Sequence, residues 1–249
     1  MRPRDRFKEL ISGTRLEPLV RRLLRKPMPQ RPEDQRGPAY DRQTIEVMRL
    51  VLEPGSGCVD TGAFKGLFLK EMLGLAPRGH HYAFEPLPHL AAELRHLYPD
   101  VDVMQVALSD SPGQLPFRHV LGGEGYSGFF RRPYDTYEER VEMINVDVKR
   151  LDDVLPRDYV PRFVKVDVEG SEAKVFGGGS DLLTRSRPFV AFETGWDPQA
   201  SYETLVEGAG LRISLLASWL DGRDPLSKEE FLDETLSGRN YFFLAHPDA

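Results

Sequence analysis

The chain has 249 residues, which suits one α/β domain, alone or with an N-terminal extension. With 40% hydrophobic and 29% charged residues, a net charge of −6 and a pI near 5.6, it is neither a disordered chain nor one with an overall basic face for nucleic acid. Its single cysteine, Cys58, excludes an internal disulfide and a Cys-rich zinc site and suits a reducing, cytoplasmic setting, and no apolar run reaches the ~20 residues that span a membrane.

Residues 1–25 space Leu10, Ile11, Leu16, Leu19, Val20, Leu23 and Leu24 at near-helical intervals among Arg and Lys. A basic amphipathic helix on a membrane and a helix packed on the domain edge both fit, and the second is expected. Residues 26–40 carry Pro and charge and read as a linker, so 1–40 form an N-terminal helical extension and 41–249 the main domain. Within 41–53, Ile45, Met48, Val51 and Leu52 share one helical face.

From residue 57 strands and helices alternate. Cys58-Val59-Asp60 is a strand ending in an acid, 65–75 a helix, and His81 to Glu85 a second strand ending in an acid. A helix over 88–97 and a third strand from Val101 to Leu108 follow. This order implies right-handed βαβ crossovers and a parallel sheet. Residues 109–150 break the rhythm: Leu115 to Val120 and Ile144 to Val148 look like extra strands around a long polar and aromatic segment. The rhythm resumes with a strand at Phe163 to Val168, a helix over 171–184 broken at Gly177-Gly178-Gly179, and a strand at Phe189 to Glu193. A helix over 198–209, a strand at Arg212 to Ala217, a short helix over 227–236 and a last strand at Tyr241 to Ala245 complete it. The final pair should place one antiparallel strand in the sheet.

The turn after Asp60 binds a nucleotide-like ligand in folds of this type, at the carboxyl ends of parallel strands. Gly62 and Gly66 permit close backbone approach and helix packing. Gly55 and Gly57 precede the strand, so the pyrophosphate fingerprint G-x-G-x-x-G is missing and a dinucleotide is disfavoured. Glu85 is spaced to accept hydrogen bonds from both ribose hydroxyls; a bare strand end is the bland alternative, as a helix-capping acid is for Asp60.

Five segments in order carry a resemblance. They are Val59-Asp-Thr-Gly-Ala-Phe-Lys-Gly, Ala83-Phe-Glu-Pro-Leu-Pro, Val106-Ala-Leu-Ser-Asp, Leu151-Asp-Asp and Val164-Lys-Val-Asp-Val-Glu-Gly-Ser-Glu. Together they resemble the motifs of FkbM-type methyltransferases from about residue 45 to 195, with departures at Thr61 and Lys65. The resemblance implies a Rossmann-like class I fold: a mostly parallel seven-stranded sheet, last strand antiparallel, helices on both faces. It implies S-adenosylmethionine as cofactor and O-methylation of natural-product or sugar hydroxyls. By position, Asp60, Gly62, Ala63 and Gly66 would line the methionine part and Glu85 would hold the ribose. Ala107, Leu108 and Ser109 would frame the adenine, with Pro86 and Leu87 over its other face.

Methyl transfer from a sulfonium needs in-line positioning above all, and a hydroxyl acceptor gains from a base or a metal. Asp167 and Glu193 close the fourth and fifth strands, which are neighbours in such a sheet. They are the expected catalytic acids, with Asp167 also beside the cofactor, and a candidate Mg²⁺ pair; an acid that orients the acceptor while the other caps a helix is the alternative. Lys165 serves as a base only if burial strips its charge, and a salt bridge with Glu169 or Glu193 is expected instead. No H-x-x-x-H pattern exists, and His119 in the insertion is the histidine to test as a base. Tyr126, Ser127 and Phe129 after the Gly122-Gly123-Glu124-Gly125 cluster suggest a substrate lid over 109–150, with a local packing cluster as the alternative. Glu169 and Trp196 are further candidates to meet a small-molecule acceptor, Trp219 either lines that pocket or packs in the core, and Arg131-Arg132 either meets an acidic acceptor or is solvated. No nucleic-acid or membrane partner is expected, and a homo-oligomer is compatible. N- or C-methylation, a non-catalytic nucleotide-binding module and an NAD-dependent dehydrogenase are the alternatives.

Overall fold

The computed structural model describes residues 36–130 and 140–248. The extension, the Arg131-Arg132 pair and most of the expected linker lie outside them. Helix α1 (Gly37–Val51) starts before the expected residue 41, because Pro38 suits a first helical turn. It buries Tyr40, Val47, Met48 and Val51. No helix among the described residues is long and apolar enough to cross a membrane.

Strand β1 (Gly57–Thr61) leads to α2 (Leu67–Leu75), β2 (His81–Phe84), α3 (Pro88–Leu97) and β3 (Asp102–Met104). An insertion follows, with β4 (Ala107–Leu108), β5 (Gly113–Val120), a 3₁₀ turn (Glu124–Tyr126) and β6 (Val141–Lys149). The chain continues through α4 (Leu151–Val154), β7 (Pro161–Val166), α5 (Glu172–Gly178), α6 (Ser180–Ser186) and β8 (Phe189–Glu193). Helix α7 (Pro198–Tyr202) passes into a π-helical turn (Glu203–Gly208) before β9 (Arg212–Leu215), α8 (Leu216–Leu220), α9 (Lys228–Leu236) and β10 (Phe242–His246).

The main sheet has the order β3-β2-β1-β7-β8-β10-β9, and only β10 runs against its neighbours. The reversal away from β1 to either side is the topology that opens a crevice at the strand ends. Side-chain alternation feeds two cores. Val164, Val190, Phe192 and Phe243 pack on one face, and Phe163, Ala191 and Leu244 join α1 and α2 on the other. Cys58 lies in the second core, and burial pushes its thiol up to about 12, so it packs as an apolar residue.

Two expectations need correction. The third strand is two: Asp102–Met104 pairs with β2, while Ala107–Leu108 leaves the main sheet and pairs with β6 in a three-stranded sheet of order β4-β6-β5. The apolar pattern runs through both pieces, and only their separate partners divide them. The strand expected from Arg212 to Ala217 stops at Leu215, and α8 begins at Leu216. Trp219 on that helix packs edge-on to Phe189 and belongs to the core.

Candidate active site

The loop after β1 turns on Gly62, at φ 72°, whose amide donates to the Phe84 carbonyl at 2.9 Å. A Cβ there would lie 1.9 Å from the Asp167 carbonyl oxygen. The glycine is therefore needed for the approach of β1 to the turn after β7, as well as for its left-handed backbone. Gly66, at φ 77°, faces Leu94 and Tyr98 of α3 and its end, so it serves helix packing. Phe64, between them, adopts φ 50°, an uncommon value for a non-glycine residue.

That strained turn aims the Phe64 amide at Glu85. The Phe64 and Leu87 amides each donate to one oxygen of the Glu85 carboxylate, both at 2.9 Å. Glu85 is buried, and desolvation pushes its pKa up to about 7 against the pull of the two amides. Two donors thus fix the carboxylate while leaving each oxygen a further lone pair.

Beneath the loop lies a buried cation. Lys165 Nζ donates to the Gly62 carbonyl at 3.0 Å and sits 3.5 Å from Asp167 and 3.7 Å from Asp60. Burial works to lower its pKa, but Asp167 and Asp60 outweigh it and the net shift is upward. Lys165 therefore stays an ammonium ion and is no base. Its ion pairs run to Asp60 and Asp167, in place of the expected Glu169 or Glu193. Asp60 is fully buried, and desolvation raises its pKa against the pull of Lys165.

After β7 the chain turns sharply through Glu169, at φ 60°. Glu172, at the start of α5, staples this turn: its Oε1 accepts from the Val168 and Gly170 amides at 3.0 and 3.1 Å. The turn brings one oxygen each of Asp167, Glu169 and Glu193 within 4.8 Å of one another.

Two clefts flank this triad. The first is walled by Gly62, Phe64, Glu85, Pro86, Leu87, Ala107 and Leu108, by Phe117, Ser127 and Phe129 of the insertion, and by Asp167 and Glu169. The second, beyond Glu169, is lined by Glu193, Thr194, Trp196, Thr235, Ser237, Tyr241 and Arg36. Their open volumes are about 60 and 500 Å³.

The sequence-derived candidates divide accordingly. Gly62, Glu85, Pro86, Ala107, Leu108 and Asp167 meet at the first cleft. Asp60, Ala63, Gly66 and Ser109 lie outside its wall. Asp60 pairs below with Lys165, Ala63 is buried with its amide on the Phe84 carbonyl, and Ser109 donates to Asp110. Ser127 and Phe129 line the first cleft; Phe129 packs edge-on to Phe117, and Ser127 Oγ accepts from the Val120 amide. Tyr126 ends the 3₁₀ turn outside that wall. Glu193 and the half-exposed Trp196 line the second cleft. His119 lines neither cleft and sits with His89 and Glu124. Phe64, Val106, Phe117 and Glu124 were not anticipated in the first wall, because strain and the insertion's pairing bring them there.

The sheet order with its single reversed strand, and a cleft at the carboxyl ends of β1 and β2, define a Rossmann-like methyltransferase architecture. The model of the methyltransferase FkbM domain matches residues 60–216, more than half of the chain, and the chain belongs to that family. It is 30% identical over 174 residues to the 2-O-methyltransferase NoeI of Sinorhizobium fredii, covering 64% of this chain and 70% of that protein. It is 29% identical over 179 residues to the AMB antimetabolite synthetase AmbE of Pseudomonas aeruginosa, of which it spans 8%. The solved FkbM methyltransferase of Methylobacillus flagellatus shares the fold at a TM-score of 0.54 and 17% identity, over 83% of this chain and 48% of that one.

Proposed function

We propose that the chain is an S-adenosylmethionine-dependent O-methyltransferase acting on a hydroxyl of a small molecule, a natural product or sugar. The observation that carries this reading is the meeting of two clefts at Asp167, Glu169 and Glu193. In the first cleft Glu85 would accept hydrogen bonds from the cofactor's ribose hydroxyls, and Leu87, Ala107 and Leu108 would frame its adenine. The insertion turn, whose Ser127 and Phe129 line that cleft, would cover the cofactor. The acceptor enters from the second cleft, where Trp196 offers an aromatic face and Glu193 an acceptor for hydroxyl protons.

In the reaction the acceptor oxygen attacks the methyl carbon, the carbon–sulfur bond breaks, and the electron pair returns to sulfur to leave a thioether. The hydroxyl proton passes to a carboxylate of the triad, and Asp167, in the wall of the first cleft, is the one to test. A second reading keeps the same residues but places a divalent cation such as Mg²⁺ on them, since three clustered carboxylates are hard oxygen donors. Chelator-insensitive turnover by metal-free protein would remove it. The 2-O-methyltransferase relative favours oxygen over nitrogen or carbon as acceptor. The net charge of −6 favours a small acceptor over nucleic acid, and the reduced Cys58 suits the cytoplasm.

Calorimetry with S-adenosylhomocysteine and NAD tests the cofactor: binding of the first and none of the second is expected, and the reverse result refutes the proposal. Asp167→Asn then tests the chemistry. Turnover should fall by tenfold or more while S-adenosylhomocysteine affinity stays within about threefold, roughly 0.65 kcal/mol. Equal losses in both would make Asp167 a cofactor contact only.

A further inference from the structure

His119 lines neither cleft, yet the fold gives it specific neighbours. It lies near the end of β5, His89 is the second residue of α3, and Glu124 opens the 3₁₀ turn. One ligand atom from each of the three lies within 4.8 Å of the other two. The two imidazole rings are 5.4 Å apart between centroids, tilted at 38°.

We infer that His89, His119 and Glu124 form a transition-metal site of the zinc class at the rim of the first cleft, tying the insertion to α3. Two imidazoles and one carboxylate are a donor set that borderline-soft divalent ions favour over Mg²⁺ or Ca²⁺. Bond lengths near 2.1 Å place tetrahedral ligand atoms about 3.4 Å apart, so the cluster has to contract. His89 is exposed and on a helix surface, so a rotamer change supplies the contraction and solvent supplies the entry path. The Gly122 amide donates to Glu124 Oε1 at 3.3 Å and orients that carboxylate, as outer-shell partners of metal ligands do. Three protein ligands leave a fourth position for water.

The location gives the ion a structural consequence. Glu124 and Gly125 both line the first cleft, and Gly125 lies over the ring of Phe64, the residue whose amide holds Glu85. An ion on Glu124 would hold the insertion turn down on the loop after β1. The three residues are 30 and 5 positions apart in the chain, so no spacing motif announces them.

The test is a zinc titration of untagged, chelator-treated full-length protein, read by calorimetry and by thermal unfolding. Wild type should bind one Zn²⁺ per chain and gain thermal stability from it. His89→Ala and His119→Ala should each weaken binding about tenfold or more and abolish that gain, whereas His96→Ala, an exposed histidine further along α3, should leave both unchanged. Should His119→Ala fail to fold, the exposed His89 decides alone. No zinc binding by wild type, or binding that survives His89→Ala undiminished, overturns the inference.

Discussion

Replacing Lys165 by methionine removes a cation in contact with both Asp60 and Asp167 while keeping most of the stem's volume. The side chain is 5% exposed and that of Asp60 1%, so solvent does little to compensate Asp60 once the charge is gone. Asp167 is 33% exposed and is compensated by water. Breaking a buried pair by removing one partner costs about 3–5 kcal/mol, because the other charge is left desolvated. For a domain of this size that is a fall of about 6–20 °C in Tm. Asp60→Asn combined with Lys165→Met removes both charges and should recover most of the loss. The sign with pH is also defined. Without Lys165 the folded pKa of Asp60 rises further above its unfolded value. The variant's deficit is then smallest below the unfolded pKa and grows as pH rises toward the folded one. Urea unfolding of wild type, both single variants and the double variant reads all of this. A Lys165→Met protein within about 0.5 kcal/mol of wild type, or a double variant no better than the single, refutes the account of a buried cation that holds the loop and the acid together.

Glu85 titrates near 7, and its ionised form is the stronger acceptor for ribose hydroxyls, so S-adenosylhomocysteine affinity should fall roughly tenfold from pH 8 to pH 6. Glu85→Gln should flatten that profile, and Glu85→Ala should lose about 1.5–3 kcal/mol of binding; a flat wild-type profile counts against the ribose role. Gly62→Ala forces a left-handed backbone, about 1–2 kcal/mol, and a Cβ onto the Asp167 carbonyl, so it should be destabilised beyond that figure in urea unfolding. Gly74→Ala in α2, with open space around it, should be stabilising by about 0.4–1 kcal/mol in the same measurement, and equal behaviour of the two would remove the steric argument.

The sequence by itself determined the alternation of strands and helices, because hydrophobic periods of 2 and 3.6 are local properties of the chain. Pro88–Leu97 and Phe189–Glu193 have the bounds that their patterns predict. Glu85 and Asp167 were legible for the same reason: each stands at or just past the end of an apolar run, where a parallel sheet places its crevice. Local patterns carry no information about partners. Ala107 and Leu108 have the composition of the strand before them and yet pair with β6. Asp60 reads like a ligand-binding acid, but the sheet buries it against Lys165, one strand away and 105 positions along the chain. His119 and Glu124 are ordinary loop and strand residues until the insertion folds them against His89. Register and side-chain burial come from long-range packing, so the tertiary structure alone decided which acids reach the clefts, which one is matched to a buried cation, and where two histidines meet a carboxylate.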